Sequence, residues 1–256
     1  MVNTMRRIAI TLDAFKASPE ALEQAVRLAE RMGAQLEGIF VEDIDLIQLT
    51  ELPFLREVRS ASRSEVTIDL ARMEQELRAL ARRAERLLSE KAARHNVAWS
   101  FRIWRGSIDT DLLTADIEAD VFALTRLGAE LMRIPALRPK TTGVSVVFTG
   151  SEASMRALDA AMNLAADPQK DLYILLHAAD DDELERLRRL ATKHLGDSAP
   201  ATHFEHMTDG SLADLVDILA DTNSSVLILE RDSKLLQTPT LKQNLNRLNC
   251  PILIVR

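Results

Sequence analysis

The sequence predicts an α/β protein made of two tandem open, mostly parallel sheets, each with helices on both faces. Three observations predict it. The chain repeats itself: Ala21-Leu22-Glu23-Gln24-Ala25-Val26-Arg27-Leu28-Ala29 resembles Ala157-Leu158-Asp159-Ala160-Ala161-Met162-Asn163-Leu164-Ala165, and Gly106-Ser107-Ile108 resembles Gly210-Ser211-Leu212. The matches keep their order and the interval between them contracts once, as a duplication with a shorter second middle would give. Strand-type and helix-type runs also alternate along both copies, which implies parallel strands joined by helical crossovers. Finally, the strand runs are almost continuously apolar, as sheets buried on both faces require.

In the first copy a strand is expected near 6–12 and a helix near 18–32. Ser18 is placed as an N-cap, Pro19 suits the first helical position, and Gly33 is a C-terminal stop. A strand follows near 35–42, then a long helix near 62–95 opened by Ser62 and Glu65 at capping-box spacing. Leu70, Met73, Leu77, Leu80, Ala84 and Leu87 give that helix one narrow apolar seam. Its charged face is read as solvated, with the helix lying on its own sheet. A strand near 97–104, a helix near 107–118 and a strand near 120–125 complete the copy. The second copy has expected strands near 143–149, 171–177, 201–207, 225–230 and 252–255. Its expected helices lie near 151–166, 181–195, 211–221 and 240–248. The implied domains are 1–138 and 139–256. Between them, 126–142 holds no clear helix plus fifth strand, so the first sheet is expected to lack its fifth strand. Its open edge must then be covered by copy two or by another chain.

Composition narrows the function classes. Hydrophobic residues make up 46% and charged residues 28%, enough for a packed core. The net charge of −7 gives no general attraction to nucleic acid. The long helix carries a local basic excess, but its acids are interspersed and stacking aromatics are absent, so it is not read as a nucleic-acid face. No apolar run approaches the roughly 18 residues of a membrane span, and the apolar run after Met1–Arg7 ends at Asp13, too soon for a secretion signal. A cytoplasmic protein with no membrane insertion is expected. The single cysteine, Cys250, excludes a disulfide scaffold and is read as a small buried apolar residue.

In open α/β sheets, ligands bind beyond the carboxyl ends of the strands, where strand order reverses. Asp13, Glu42, Asp43 and Gly106-Ser107 fall there in the first copy. Gly150-Ser151, His177, Asp180 and Gly210-Ser211 fall there in the second. A Gly-Ser turn leading into a helix offers free N–H groups to a phosphate, although serine caps helices more often than it binds ligands. Other chemistry is set aside. His203 and His206 are three apart on an expected strand, hence on opposite faces, so no zinc site is expected. No Gly-x-Ser-x-Gly elbow, His-Glu-x-x-His or Walker loop occurs. The acidic run Asp180-Asp181-Asp182-Glu183 compensates a helix dipole.

The ordered set resembles the universal stress protein family in a tandem, two-domain form, with the fold shared by that family and the adenine nucleotide alpha hydrolases. The resemblance is carried by Ile8-Ala9-Ile10-Thr11-Leu12-Asp13 before Ala21-Leu22, and by Gly150-Ser151-Glu152-Ala153-Ser154 before Ala157-Leu158. The two Gly-Ser turns and the ending Asn249-Cys250-Pro251-Ile252-Leu253-Ile254-Val255-Arg256 complete it. That ending looks like the family's fifth strand, which commonly contributes to domain pairing. The resemblance implies a stress-response or regulatory protein acting by protein or small-ligand binding. ATP-binding members carry a signature after the fourth strand, Gly-x2-Gly-x9-Gly followed by Ser or Thr, because only glycine lets backbone N–H groups close on phosphates. In the first copy Gly128 is present, but Leu131 and Thr141 stand where the other glycines belong. The second copy reads Glu230-Arg231-Asp232-Ser233-Lys234, with no glycine and with two acids against two bases. Gly150 stands where the first copy has Asp13. A nucleotide site implied by the resemblance would rest on Asp13, Val41, Gly106, Ser107 and Gly128. The resulting expectation is a non-enzymatic protein with a degenerate ATP-binding loop in both copies, no cofactor, and a homo-oligomer or intramolecular pseudo-dimer. The alternative is an ATP- or AMP-binding regulator or weak ATPase with a non-standard phosphate loop.

Overall fold

The computed structural model of the chain describes residues 7–13, 19–42, 56–58, 65–67, 70–106, 119–124, 143–196, 199–208, 210–237 and 250–256. The first half contributes β1 (Arg7–Asp13), α1 (Pro19–Met32), β2 (Gln35–Glu42), β3 (Arg56–Val58), β4 (Glu65–Thr67), α2 (Leu70–Arg94), β5 (Trp99–Arg105) and β6 (Val121–Leu124). The second contributes β7 (Gly143–Phe148), α3 (Glu152–Ala165), β8 (Leu172–His177), α4 (Asp181–Leu195), β9 (Thr202–Met207), α5 (Leu212–Asp221), β10 (Ser224–Glu230) and β11 (Ile252–Val255). These follow the expected elements closely, down to Pro19 opening α1 and Gly33 behind it at φ 60°. The helices expected near 107–118 and 240–248, and Ser18, lie outside the described residues.

The start of the long helix is a correction. Glu65, assigned to a capping box, lies instead in the small antiparallel β3–β4 hairpin, and α2 begins at Leu70. The helical pattern of apolar residues begins only at Leu70, so the charged stretch before it has no stripe to bury. The buried line of α2 is Leu77, Ala81, Ala84, Leu88 and Ala92, with Met73, Leu80 and Leu87 partly buried beside it. The expected seam is thus rotated by part of a turn. Three alanines on the contact line let the backbone approach the sheet closely.

Nine strands form one sheet in the order β5-β2-β1-β6-β11-β10-β7-β8-β9. Each half supplies the open, mostly parallel array that the sequence predicts, and the two arrays are fused edge to edge. The fusion is the antiparallel pair β6–β11, in which Ile252 faces Leu124 and Val255 faces Val121. Every other neighbouring pair in this sheet is parallel. β11 therefore completes its own array beside β10 and covers the edge of β6 in the first. A backbone bond extends the join at its end, Arg256 N–H donating to the Asp120 carbonyl at 3.0 Å, while Leu227 N–H donates to the Pro251 carbonyl at 3.0 Å and ties β11 to β10.

Helices α1, α2, α3 and α4 cover one face through Leu22, Leu88, Leu158 and Leu187. On the opposite face Leu215 and Leu219 of α5 pack with Ile252, Ile254 and the buried Cys250. Among the described residues, no helix is long and apolar enough to cross a membrane.

A polar network ties α1 to α2. Glu23 accepts from Lys91 Nζ at 2.6 Å and from Arg27 Nε at 3.2 Å. Burial opposes the charge, yet these two bonds and the charges behind them hold the Glu23 carboxyl below its ordinary value of 4.5. A depressed folded value means that the stabilisation is full above the unfolded value and is lost as pH falls through the folded one. Glu23→Gln is therefore expected to flatten the acid limb of a urea-midpoint-versus-pH curve below about pH 4.5. An acid limb of unchanged steepness would contradict it.

Candidate functional site

Strand order reverses twice, between β1 and β6 and again between β7 and β10. A crevice opens at the carboxyl ends of the strands at each reversal.

In the first crevice Asp13 ends β1, in register with Val41 of β2. Val41 is buried in the sheet and faces Trp104 of β5 on its other side. Gly106 follows β5 and donates its N–H to the Glu42 carbonyl at 3.2 Å. The Trp104 indole folds over Gly106, so a Cβ there would collide with the ring. The turn is consequently capped by an aromatic side chain of its own strand. Glu42, only 6% exposed, ends β2, and its carboxylate accepts from Arg105 Nε at 3.0 Å with the other guanidinium nitrogen at 2.9 Å. The structure thus brings Asp13, Val41 and Gly106 to the same end of the sheet. Ser107, Gly128 and Asp43 lie outside the described residues.

The second crevice is organised by Glu230, the acid with which the glycine-less loop after the fourth strand begins. Glu230 ends β10 and is 8% exposed. One carboxylate oxygen accepts from Thr149 Oγ1 at 2.9 Å, and the other accepts the Ser151 hydroxyl. Ser151 also caps α3, its oxygen accepting Ser154 N–H at 2.9 Å. Gly150, with φ at 78°, makes the turn that sets both hydroxyls toward Glu230. A carboxylate of the chain therefore sits before the N-terminus of α3, where the helix dipole favours an anion.

The remaining second-copy positions serve local structure. Ser211 caps α5, accepting from Asp214 N–H at 3.1 Å. The His177 ring lies against Gly210, which has φ 59°. Asp180 caps α4, accepting from Glu183 N–H at 2.8 Å. The Ala179 N–H and then Arg186 hold the Glu183 carboxyl below the usual glutamate value. The acidic run is thus occupied at the positive end of a helix dipole. His203 stacks on Tyr173 with ring centroids 4.9 Å apart.

Among the described residues, each crevice has a buried carboxylate with partners from the chain itself, Glu42 with Arg105 and Glu230 with Thr149 and Ser151. Phosphate oxygens brought beside Glu42 or Glu230 would meet like charge in a poorly hydrated setting.

No protein-family model matches the sequence, and no curated protein matches it. Among solved structures, a universal stress protein from Archaeoglobus fulgidus superposes with a TM-score of 0.57 at 12% identity, covering 97% of this chain and 96% of that one. A universal stress protein in complex with cAMP is 20% identical, covers 45% of this chain and 97% of its own, and has a TM-score of 0.38. A universal stress family protein from Burkholderia pseudomallei is also 20% identical, covers 45% and 96% respectively, and has a TM-score of 0.35. The nine-stranded, mostly parallel sheet and the whole-length likeness to the Archaeoglobus protein give the chain the universal stress protein fold.

Proposed function

We propose that the chain is a non-enzymatic stress-response protein of universal stress type. In this reading it consists of two copies paired within one chain and works by binding a protein or a small ligand, without using ATP as a cofactor. The observation that carries the reading is the Glu230 clamp. The place that a nucleotide phosphate would need in the second crevice is taken by the chain's own carboxylate, satisfied by Thr149 and Ser151. Glu42, paired with Arg105, gives the first crevice the same sign of charge. The antiparallel β6–β11 join supports the intramolecular pair, because each strand is already bonded on both sides.

Equilibrium dialysis against labelled ATP and AMP tests the reading. No saturable binding is expected at micromolar nucleotide. Micromolar binding that disappears in Asp13→Ala would replace this proposal with a nucleotide-dependent regulator working from the first crevice.

A further inference from the structure

A further concave site lies at the amino ends of the second array, the end of that array opposite its own crevice. It is a pocket of about 380 Å³ at the amino ends of β8 and β9, between the end of α3 and the segments 165–170 and 199–201. Its wall is mainly apolar, with Met162, Pro168 and Pro200 contributing, and its polar groups come from Asn163, Asp167 and Lys170.

The charge around Lys170 is unbalanced. Its ammonium donates to the Gln24 side-chain oxygen at 3.1 Å. The nearest acid to act on it is Asp167, which pairs with Arg27. Two more cations approach from α1. Arg31 donates to the Asn163 carbonyl, and Arg27 stands 3.7 Å from the Asp167 carboxylate. Arg27 also pairs with Glu23, but Lys91 already shares that carboxylate. Burial first, and then the field of Arg27 with a further contribution from Arg31, push the Lys170 ammonium below the ordinary lysine value; Asp167 only partly offsets this. A half-buried cation beside other cations is relieved by an anion, and an apolar wall next to it favours an anion with an apolar body.

We propose that this pocket is a binding site for an organic monocarboxylate, its carboxylate on Lys170 and its hydrocarbon part against Met162, Pro168 and Pro200. The site is independent of the switch-point crevices, so its failure would leave the reading of those crevices untouched. The lining comes from 162–170 and 199–201, so the ligand would be held by the second half, beside the cations that α1 brings near Lys170.

The test is a titration of 15N-labelled full-length protein with sodium hexanoate, with hexan-1-ol and inorganic phosphate as controls. Hexanoate is expected to move the amides of Ala166, Lys170 and Ala201 saturably at millimolar concentration, while both controls leave them in place. Lys170→Met should weaken hexanoate by about tenfold or more, since it removes a charge-assisted contact while keeping the apolar stem. Lys170→Gln should do the same, which separates lost charge from altered packing. The proposal is overturned if hexanoate causes no saturable shift, or if either variant binds as the parent does. Hexan-1-ol binding equally well would leave only an apolar dent, and phosphate binding in place of hexanoate would exclude the carboxylate assignment.

Discussion

Leu253→Ala is expected to destabilise the whole chain by roughly 2–5 kcal/mol, the range for truncating a fully buried leucine. Leu253 has no exposed surface and lies in the core cluster under α1 and α3. By register it stands between Ala123 of β6 and Ile228 of β10, so its side chain packs at the seam of the two arrays. A cavity there removes contacts from both halves at once. Urea unfolding should therefore show a lowered midpoint in one cooperative transition, with the slope unchanged. Two transitions of which only one moves would mean that the β6–β11 join does not couple the halves. An unmoved midpoint would remove β11 from the core.

Glu230→Ala is expected to cost roughly 1–2 kcal/mol, because the half-buried Thr149 hydroxyl loses a charged acceptor while the exposed Ser151 hydroxyl can turn to water. Thr149 and Ser151 each give a hydrogen bond to that carboxylate. Ser151 keeps its second task, accepting Ser154 N–H at the start of α3, so the helix should persist. Glu230→Gln should cost less, since the amide oxygen still accepts one bond while the amide nitrogen leaves the other hydroxyl without its acceptor. Thermal melts of the two variants rank the effects. If alanine and glutamine melt with the parent, the clamp contributes nothing and the account of the second crevice loses its basis.

Local order was legible because it depends on neighbours in sequence. Pro19 and Gly33 bracket α1, Ser211 caps α5, and the apolar runs ending at Asp13, Phe148 and Glu230 became strands in their expected places. The long helix was misjudged at its beginning for the same reason. Ser62 and Glu65 have the spacing of a capping box, yet Glu65 pairs across a hairpin, and a local pattern carries no information about a partner strand. Of the residues named for a nucleotide site, Asp13, Val41 and Gly106 do come to one end of the sheet, because chain alternation alone fixes which ends of parallel strands align.

What the sequence by itself determined is the pair of mostly parallel arrays, their helices and the ends at which crevices open. These follow from hydrophobic periodicity and from turn and cap chemistry, which act over a few residues. The tertiary structure alone decided that β11 runs antiparallel against β6, that Glu230 takes the hydroxyls of Thr149 and Ser151, and that Lys170 meets Arg27 and Arg31. Each of these joins residues far apart in the chain. Their energies depend on burial and on which charges share a poorly hydrated space, and both exist only once the two halves have packed.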